Sequence, residues 1–200
     1  MGHRRIDGGT GESASLFKEE ETAPAARCCF VRLFFAIELP GKVKGALQRV
    51  GGRIPQGESW RWVRPDNYHL TLHFLGDRER GELSELQALG RRVAKRHGPF
   101  KVKCQGLGTF PNNARNPKIL WAGLHPQEEL DSLAKALGGD GGDHHVTLAR
   151  RNKGRWRPVR ISDAQQALSF GEWTVSEIVL MESTLTRSGP VYTVNKSWEL

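Results

Sequence analysis

The sequence predicts an α+β fold in which helices cover one face of largely antiparallel sheets, the chain being arranged as two loosely repeated halves. Three observations predict it. Short apolar stretches, alternating or continuous, are bounded by Gly and Pro, as strands require. Longer stretches place leucines and valines at helical spacing instead. The order of these periodicities is strand, helix, strand, strand, helix, strand, and each half carries one His-x-Thr tripeptide, His69-Leu70-Thr71 and His145-Val146-Thr147.

Residues 1–30 are rich in Gly, Ser, Glu and Ala and hold little to bury, which predicts a disordered, dispensable N-terminal extension ahead of one domain over 31–200. Order is expected to begin at Val31, in the apolar run to Ile37 that Pro40-Gly41 closes. Val43, Ala46, Leu47 and Val50 then recur at helical spacing. Trp60 to Val63 reads as a short extended piece stopped by Arg64-Pro65-Asp66. From His69 the chain alternates up to the Gly76 turn, a strand. The clearest helix runs from Arg80 to His97, with Leu83, Leu86, Leu89 and Val93 on one side. Lys101–Phe110 and Lys118–Leu124 read as strands around a Pro111-Asn112-Asn113 turn. Gln127–Leu137 is a second helix, ended by the glycines of 138–142. His145–Arg150 is a strand, followed by a basic loop over 151–160. Trp173–Thr186 and Val191–Trp198 complete the set as two strands around Ser188-Gly189-Pro190.

Composition narrows the partners. Lys and Arg number 30 against 22 acids, a net charge of +8, which draws anionic ligands without dictating a fold. Three cysteines, Cys28, Cys29 and Cys104, make no disulfide framework and point to reduced thiols in a cytoplasmic protein. No apolar run is long enough to span a bilayer, and the charged start lacks the apolar segment of a signal peptide. No obligate protein partner is evident, so a monomer without cofactor is expected.

The His-x-Thr strands carry the chemistry. Alternate residues of a strand share a face, so His69 and Thr71 point one way while Leu70 and Leu72 face a core. His145 and Thr147 do the same against Val146 and Leu148. Facing each other, the halves would bring two imidazoles and two hydroxyls to one cleft. One neutral imidazole accepts a proton while a charged one donates, and hydroxyls stabilise the non-bridging oxygens of a phosphate. Arg150 adds a bidentate contact to such an anion. Either tripeptide alone would be an ordinary packed or surface strand; the pair is what points to in-line displacement at phosphorus. Metal binding by His69 with His73, or His144 with His145, is the weaker reading, because no Asp, Glu or Cys stands beside them at a familiar ligand spacing. One alternative is an esterase for another cyclic or 2′-5′-linked nucleotide, since the motifs read phosphate geometry and not the rest of a substrate. The alternative of another class is a non-catalytic RNA-binding module using Arg151, Lys153, Arg155, Arg157 and Arg160.

The run Arg32-Leu33-Phe34-Phe35-Ala36-Ile37-Glu38-Leu39-Pro40, then Trp62-Val63-Arg64-Pro65-Asp66-Asn67-Tyr68 leading into His69–Gly76, resembles the bacterial and archaeal RNA 2′,3′-cyclic phosphodiesterases. These are the two-histidine phosphoesterases once named 2′-5′ RNA ligases. Gly108-Thr109-Phe110-Pro111, Leu120-Trp121-Ala122-Gly123, His145–Arg150 and Leu180–Leu185 continue the likeness in order. The resemblance implies a bilobal fold with two pseudo-symmetric, mainly antiparallel sheets, outer helices and a central cleft. It implies metal-independent opening of RNA 2′,3′-cyclic phosphate ends to 2′-phosphomonoesters, with reversible 2′-5′ ligation as a further family activity. By position, His69 and His145 are catalytic, Thr71 and Thr147 bind phosphate, and Arg150 lies beside it. Phe34 or Phe35 stacks a nucleobase, Phe35 being the one taken forward, with core packing the alternative for both; Tyr192 and Ser183 are weaker candidates. The chain departs from the family before His145, where a longer segment ending in Pro is replaced by Gly138-Gly139-Asp140-Gly141-Gly142-Asp143-His144. That shortening is expected to loosen His145.

Overall fold

The computed structural model describes residues 30–50, 60–111, 117–152 and 161–200. The extension over 1–29, the Asn112-Asn113 turn and the basic loop beyond Asn152 lie outside these residues. Strand β1 (Phe30–Glu38) is the expected apolar run, and its centre is buried from Leu33 to Ile37. It starts one residue earlier than the domain boundary read from sequence: Phe30 pairs with Glu79, its ring exposed. A strand needs only ladder partners at its tip, not burial.

Among the described residues there are nine strands. In chain order they are β1, β2 (Trp60–Trp62), β3 (His69–Glu79), β4 (Phe100–Phe110), β5 (Ile119–His125), β6 (His145–Arg151), β7 (Ser169–Val175), β8 (Glu177–Thr186) and β9 (Gly189–Glu199). The helices are α1 (Gly41–Gln48), α2 (Leu83–Ala94), α3 (Gln127–Ala136) and the single turn α4 (Asp163–Gln166). The last was not foreseen; Ser162 and Gln165 form a reciprocal capping box that explains it.

All pairings are antiparallel, in the order β7-β4-β5-β6-β3-β1-β8-β9, with β2 on β6. The two expected antiparallel sheets are β7-β4-β5-β6 and β3-β1-β8-β9, joined into one curled sheet through a single pair, Leu70 with Val146. Both residues are buried, so the seam between the halves is apolar and the main core runs through it. The stretch Trp173–Thr186, expected as one strand, is two. Ser176 and Glu177 are both exposed between buried Val175 and Ile178, which breaks the alternation. The chain crosses there from the far edge of one half to β1 of the other.

Candidate active site

The Leu70–Val146 pair dictates the geometry of what lies beside it. In an antiparallel ladder the neighbours of a pair also face each other and lie on the opposite side of the sheet. That register sets His69 across from Thr147 and Thr71 across from His145, with the two histidines on the diagonal, a relation that spans roughly 7–8 Å in antiparallel sheets. Both His-x-Thr motifs line one cleft of about 470 Å³.

Each motif is followed by the same irregularity. Ala36 pairs with Thr71 and Phe35 with His73, leaving Leu72 as an extra residue. Trp121 pairs with Thr147 and Leu120 with Ala149, leaving Leu148 extra. A one-residue bulge reverses which face the following residues take. It turns His73 away from the cleft, towards the Gly138-Gly139 turn, so His69 and His73 do not share a face as a metal pair would. It also returns Phe74 and Arg150 to the cleft wall. Arg150 thus reaches the site because of a bulge that simple alternation does not foresee.

The two imidazoles are held alike. His69 Nδ1 lies 2.8 Å from the Asn67 carbonyl, and His145 Nδ1 lies 2.7 Å from the Asp143 carbonyl. A carbonyl oxygen only accepts, so Nδ1 carries the hydrogen in both, and Nε2 is the nitrogen that titrates. His69 Nε2 lies 3.2 Å from Thr71 Oγ1.

Their surroundings differ. Burial lowers the His69 pKa to about 4; the Asn67 carbonyl opposes this, and Lys44, Arg150 and His145 add to it by charge. The His145 pKa is lowered too, chiefly by burial, but His145 is less deeply set, and the Asp143 carbonyl and carboxylate hold its charged form up. Without an anion in the cleft, both histidines are neutral at pH 7.

Aromatic rings flank both. Phe34 and Tyr192 pack on His69 with centroids 4.9 and 5.0 Å away. Phe110 and Trp121 pack on His145 at 5.0 and 6.1 Å. Gly108 makes room for Trp121: a Cβ there would meet the indole at 2.1 Å. Phe35 is corrected. It is 0% exposed and sits in the main core against Trp198, because one-residue steps along β1 alternate faces; Phe34 is the one facing the cleft. Ser183 and Tyr192 line the cleft as well, with Arg61 and Arg64, which the sequence reading passed over. Arg61 reaches the cleft through β2, which pairs it with Arg150.

His144 is a buried partner of Asp131, its Nε2 2.8 Å from Oδ1. No three His, Cys, Asp or Glu side chains among the described residues are grouped as metal ligands would be. Cys104 is buried in β4, its thiol pushed up to about 12 by burial, which makes it unreactive. No helix among the described residues is long and apolar enough to cross a membrane.

A family model described as LigT-like phosphoesterase matches residues 37–121, a span that holds the first motif. A relative named RNA 2′,3′-cyclic phosphodiesterase, from Thermus thermophilus, is 34% identical over 187 residues, covering 85% of this chain and 90% of its own. The chain belongs to the LigT-like phosphoesterase family. An Aeropyrum pernix relative of the same name is 32% identical over 166 residues, covering 74% of this chain and 91% of its own. The likeness extends to solved structures. A crystal structure of a Thermus thermophilus protein superposes with a TM-score of 0.72 at 34% identity, covering 84% of this chain and 97% of that one. E. coli LigT complexed with phosphate gives 0.68 at 27% identity, covering 86% and 98%. The α+β class and the curled, mainly antiparallel sheet are therefore those of LigT-like phosphoesterases.

Proposed function

We propose that this phosphoesterase opens the 2′,3′-cyclic phosphate end of RNA to a 2′-phosphomonoester, using His69 and His145 and no metal. The observation that carries the reading is the diagonal placement of the two histidines across the Leu70–Val146 seam, each with Nδ1 tied to a backbone carbonyl so that Nε2 is the nitrogen left to exchange a proton. His145, the more open of the two, takes a proton from water as the water oxygen attacks phosphorus. His69, deeper and drier, gives its Nε2 proton to O3′ as the P–O3′ bond breaks. Thr71 and Thr147 donate to the non-bridging oxygens and Arg150 balances their charge.

The low His69 pKa fits this role once the substrate is counted. The forces that lower it are burial and nearby cations, and a phosphodiester anion set among those cations reverses their effect. His69 takes up its proton with the substrate and is then a strong acid. The names of the relatives supply the RNA cyclic phosphate as substrate. A cytoplasmic monomer is part of this reading, the cysteine count being that of reduced thiols.

The test is to incubate the protein with a 2′,3′-cyclic nucleotide and a chelator and to identify the product isomer. A 2′-phosphomonoester is expected. A 3′ product, or turnover only after a divalent ion is restored, would overturn the reading. A second measurement tests the ordering of roles. An aryl phosphodiester needs no proton on its leaving group, so it should bypass the loss in His69→Ala but not in His145→Ala. Equal loss in both variants would reverse or remove the assignment.

A further inference from the structure

The short glycine-rich link before β6 does not leave His145 unheld. His145 takes its orientation from the Asp143 carbonyl, so whatever fixes residue 143 fixes the imidazole. Asp131, half-buried on α3, grips the residues on both sides of it. Its Oδ1 accepts from the Gly142 N–H at 2.8 Å and from His144 Nε2 at 2.8 Å. One turn earlier on α3, Gln127 Oε1 accepts from the His144 N–H at 3.4 Å, while Gln127 Nε2 donates to the Leu124 carbonyl at 2.8 Å. The His144 carbonyl accepts from the Leu124 N–H at 2.9 Å, joining the link to β5. His144 is 6% exposed, so its imidazole is packed as well as bonded.

Glycine is needed for this wrap. Gly141 and Gly142 have φ of +74° and +110°, values that a side chain resists, and a Cβ on Gly141 would come within 2.7 Å of Asp131 Oδ1. The carboxylate is held well below the ordinary range by the Gly142 N–H first and the His144 contact second, so it is charged throughout the neutral range. Charge-assisted bonds of this kind are the stronger class.

We propose that Asp131 is a positioning residue for His145: through Gly142 and His144 it clamps the Asp143 carbonyl, which fixes both the ring orientation and the tautomer of the imidazole. The proposal rests on the assignment of His145 to proton transfer, but the carbonyl clamp itself is testable without turnover. Misplacement of a reacting group by about 1 Å can cost ~10²-fold, and that is the scale of effect at stake.

The experiment compares Asp131→Ala, Asp131→Asn and Lys135→Ala in the full chain, reading kcat, KM, melting temperature and the imidazole ¹⁵N shifts of His145. Asp131→Ala should lower kcat about 10- to 100-fold with KM little changed, and should shift the His145 resonances from one neutral tautomer to a mixture. Asp131→Asn keeps an acceptor oxygen in place and should restore most of kcat and the single tautomer. Lys135, whose Nζ lies 3.9 Å from the outer Asp131 oxygen, is the control and should change nothing. A single unaltered His145 tautomer in Asp131→Ala would overturn the clamp, whatever happens to turnover. A mixed tautomer with unchanged kcat would leave the clamp standing and overturn the catalytic assignment of His145 beneath it. Equal disturbance of His69 and His145 resonances would show general loosening and would also overturn the proposal.

Discussion

The two halves of the cleft hold their histidines by the same contact and reach it by different means. In the first half the carbonyl two residues before His69 belongs to a 3-10 turn, Pro65–Asn67, where proline presets one dihedral and the Tyr68 N–H closes on the Pro65 carbonyl at 3.0 Å. Asn67 Nδ2 also donates to the Pro190 carbonyl at 2.9 Å, tying that turn to the β8–β9 hairpin. In the second half the equivalent carbonyl sits on a glycine-rich link whose neighbours are bonded by Asp131 and Gln127 of α3 and by the Leu124 N–H of β5. What the chemistry requires is a fixed carbonyl behind each imidazole. A stiff segment or a link latched to a neighbouring helix and strand can both supply it.

The sharpest way to break the comparison is to remove the imidazoles in turn. His69→Ala and His145→Ala should each lose on the order of 10²–10⁴-fold in turnover while keeping the fold. Circular dichroism and thermal melting check the fold. Near-normal turnover in either variant would end the two-histidine reading.

Next in size are the hydroxyls. Thr71→Ala and Thr147→Ala should each cost about 3 kcal/mol of transition-state stabilisation, read as kcat at saturating substrate. Thr71 also touches His69 Nε2, so its variant should shift the pH profile as well, which Thr147→Ala should not. Identical profiles would mean the halves are more alike than their hydrogen bonds indicate.

The electrostatic contrast predicts pH behaviour. His69 titrates near 4 in the folded protein and near 6.5 when unfolded. The unfolded state therefore binds the extra proton first as pH falls. Stability is fully present above about 6.5 and is lost on descending through about 4, by a few kcal/mol. Melting temperature should fall across that window, and His69→Gln should flatten the fall more than His145→Gln does. For kcat/KM, which reports the free enzyme, both limbs of the bell should lie below about 6.5. Limbs for kcat should lie higher, since bound phosphate restores the charged imidazoles. Coincident limbs would contradict proton uptake on binding.

The smallest effect concerns the tether of the first half. Asn67→Ala should lower stability by about 1 kcal/mol and leave His69 bonded, because the bond to His69 uses the main chain. A large loss of turnover would show that the hairpin matters to the site itself.

Much of this was legible in the sequence. The alternation of His69 and Thr71 with Leu70 and Leu72 names both the cleft face and the core face, and the same holds around Val146. Helices α2 and α3 follow from their leucine stripes. What was not legible has physical reasons. The bulges at Leu72 and Leu148 are marked by no breaker residue, so the diversion of His73, and the turn of the strand that brings Arg150 to the cleft, could not be read. Phe34 and Phe35 are chemically the same, and only the register of β1 against β3 separates the cleft ring from the core ring. The break at Ser176 carries neither Gly nor Pro. Asp131 acts on the link from eleven residues before Gly142, beyond any local pattern.

The single pair that joins the halves has one more consequence. If β6 slid by one residue against β3, every side chain of its motif would change sides. His145 and Thr147 would be driven into the apolar seam, unsatisfied, while Val146 and Leu148 would turn out into water. Few errors of assembly are penalised twice over by so small a slip. A chain that has buried Leu70 against Val146 has, in the same event, aligned its two His-x-Thr motifs, so that a slipped register gives an unstable molecule and not a folded one with its motifs misplaced.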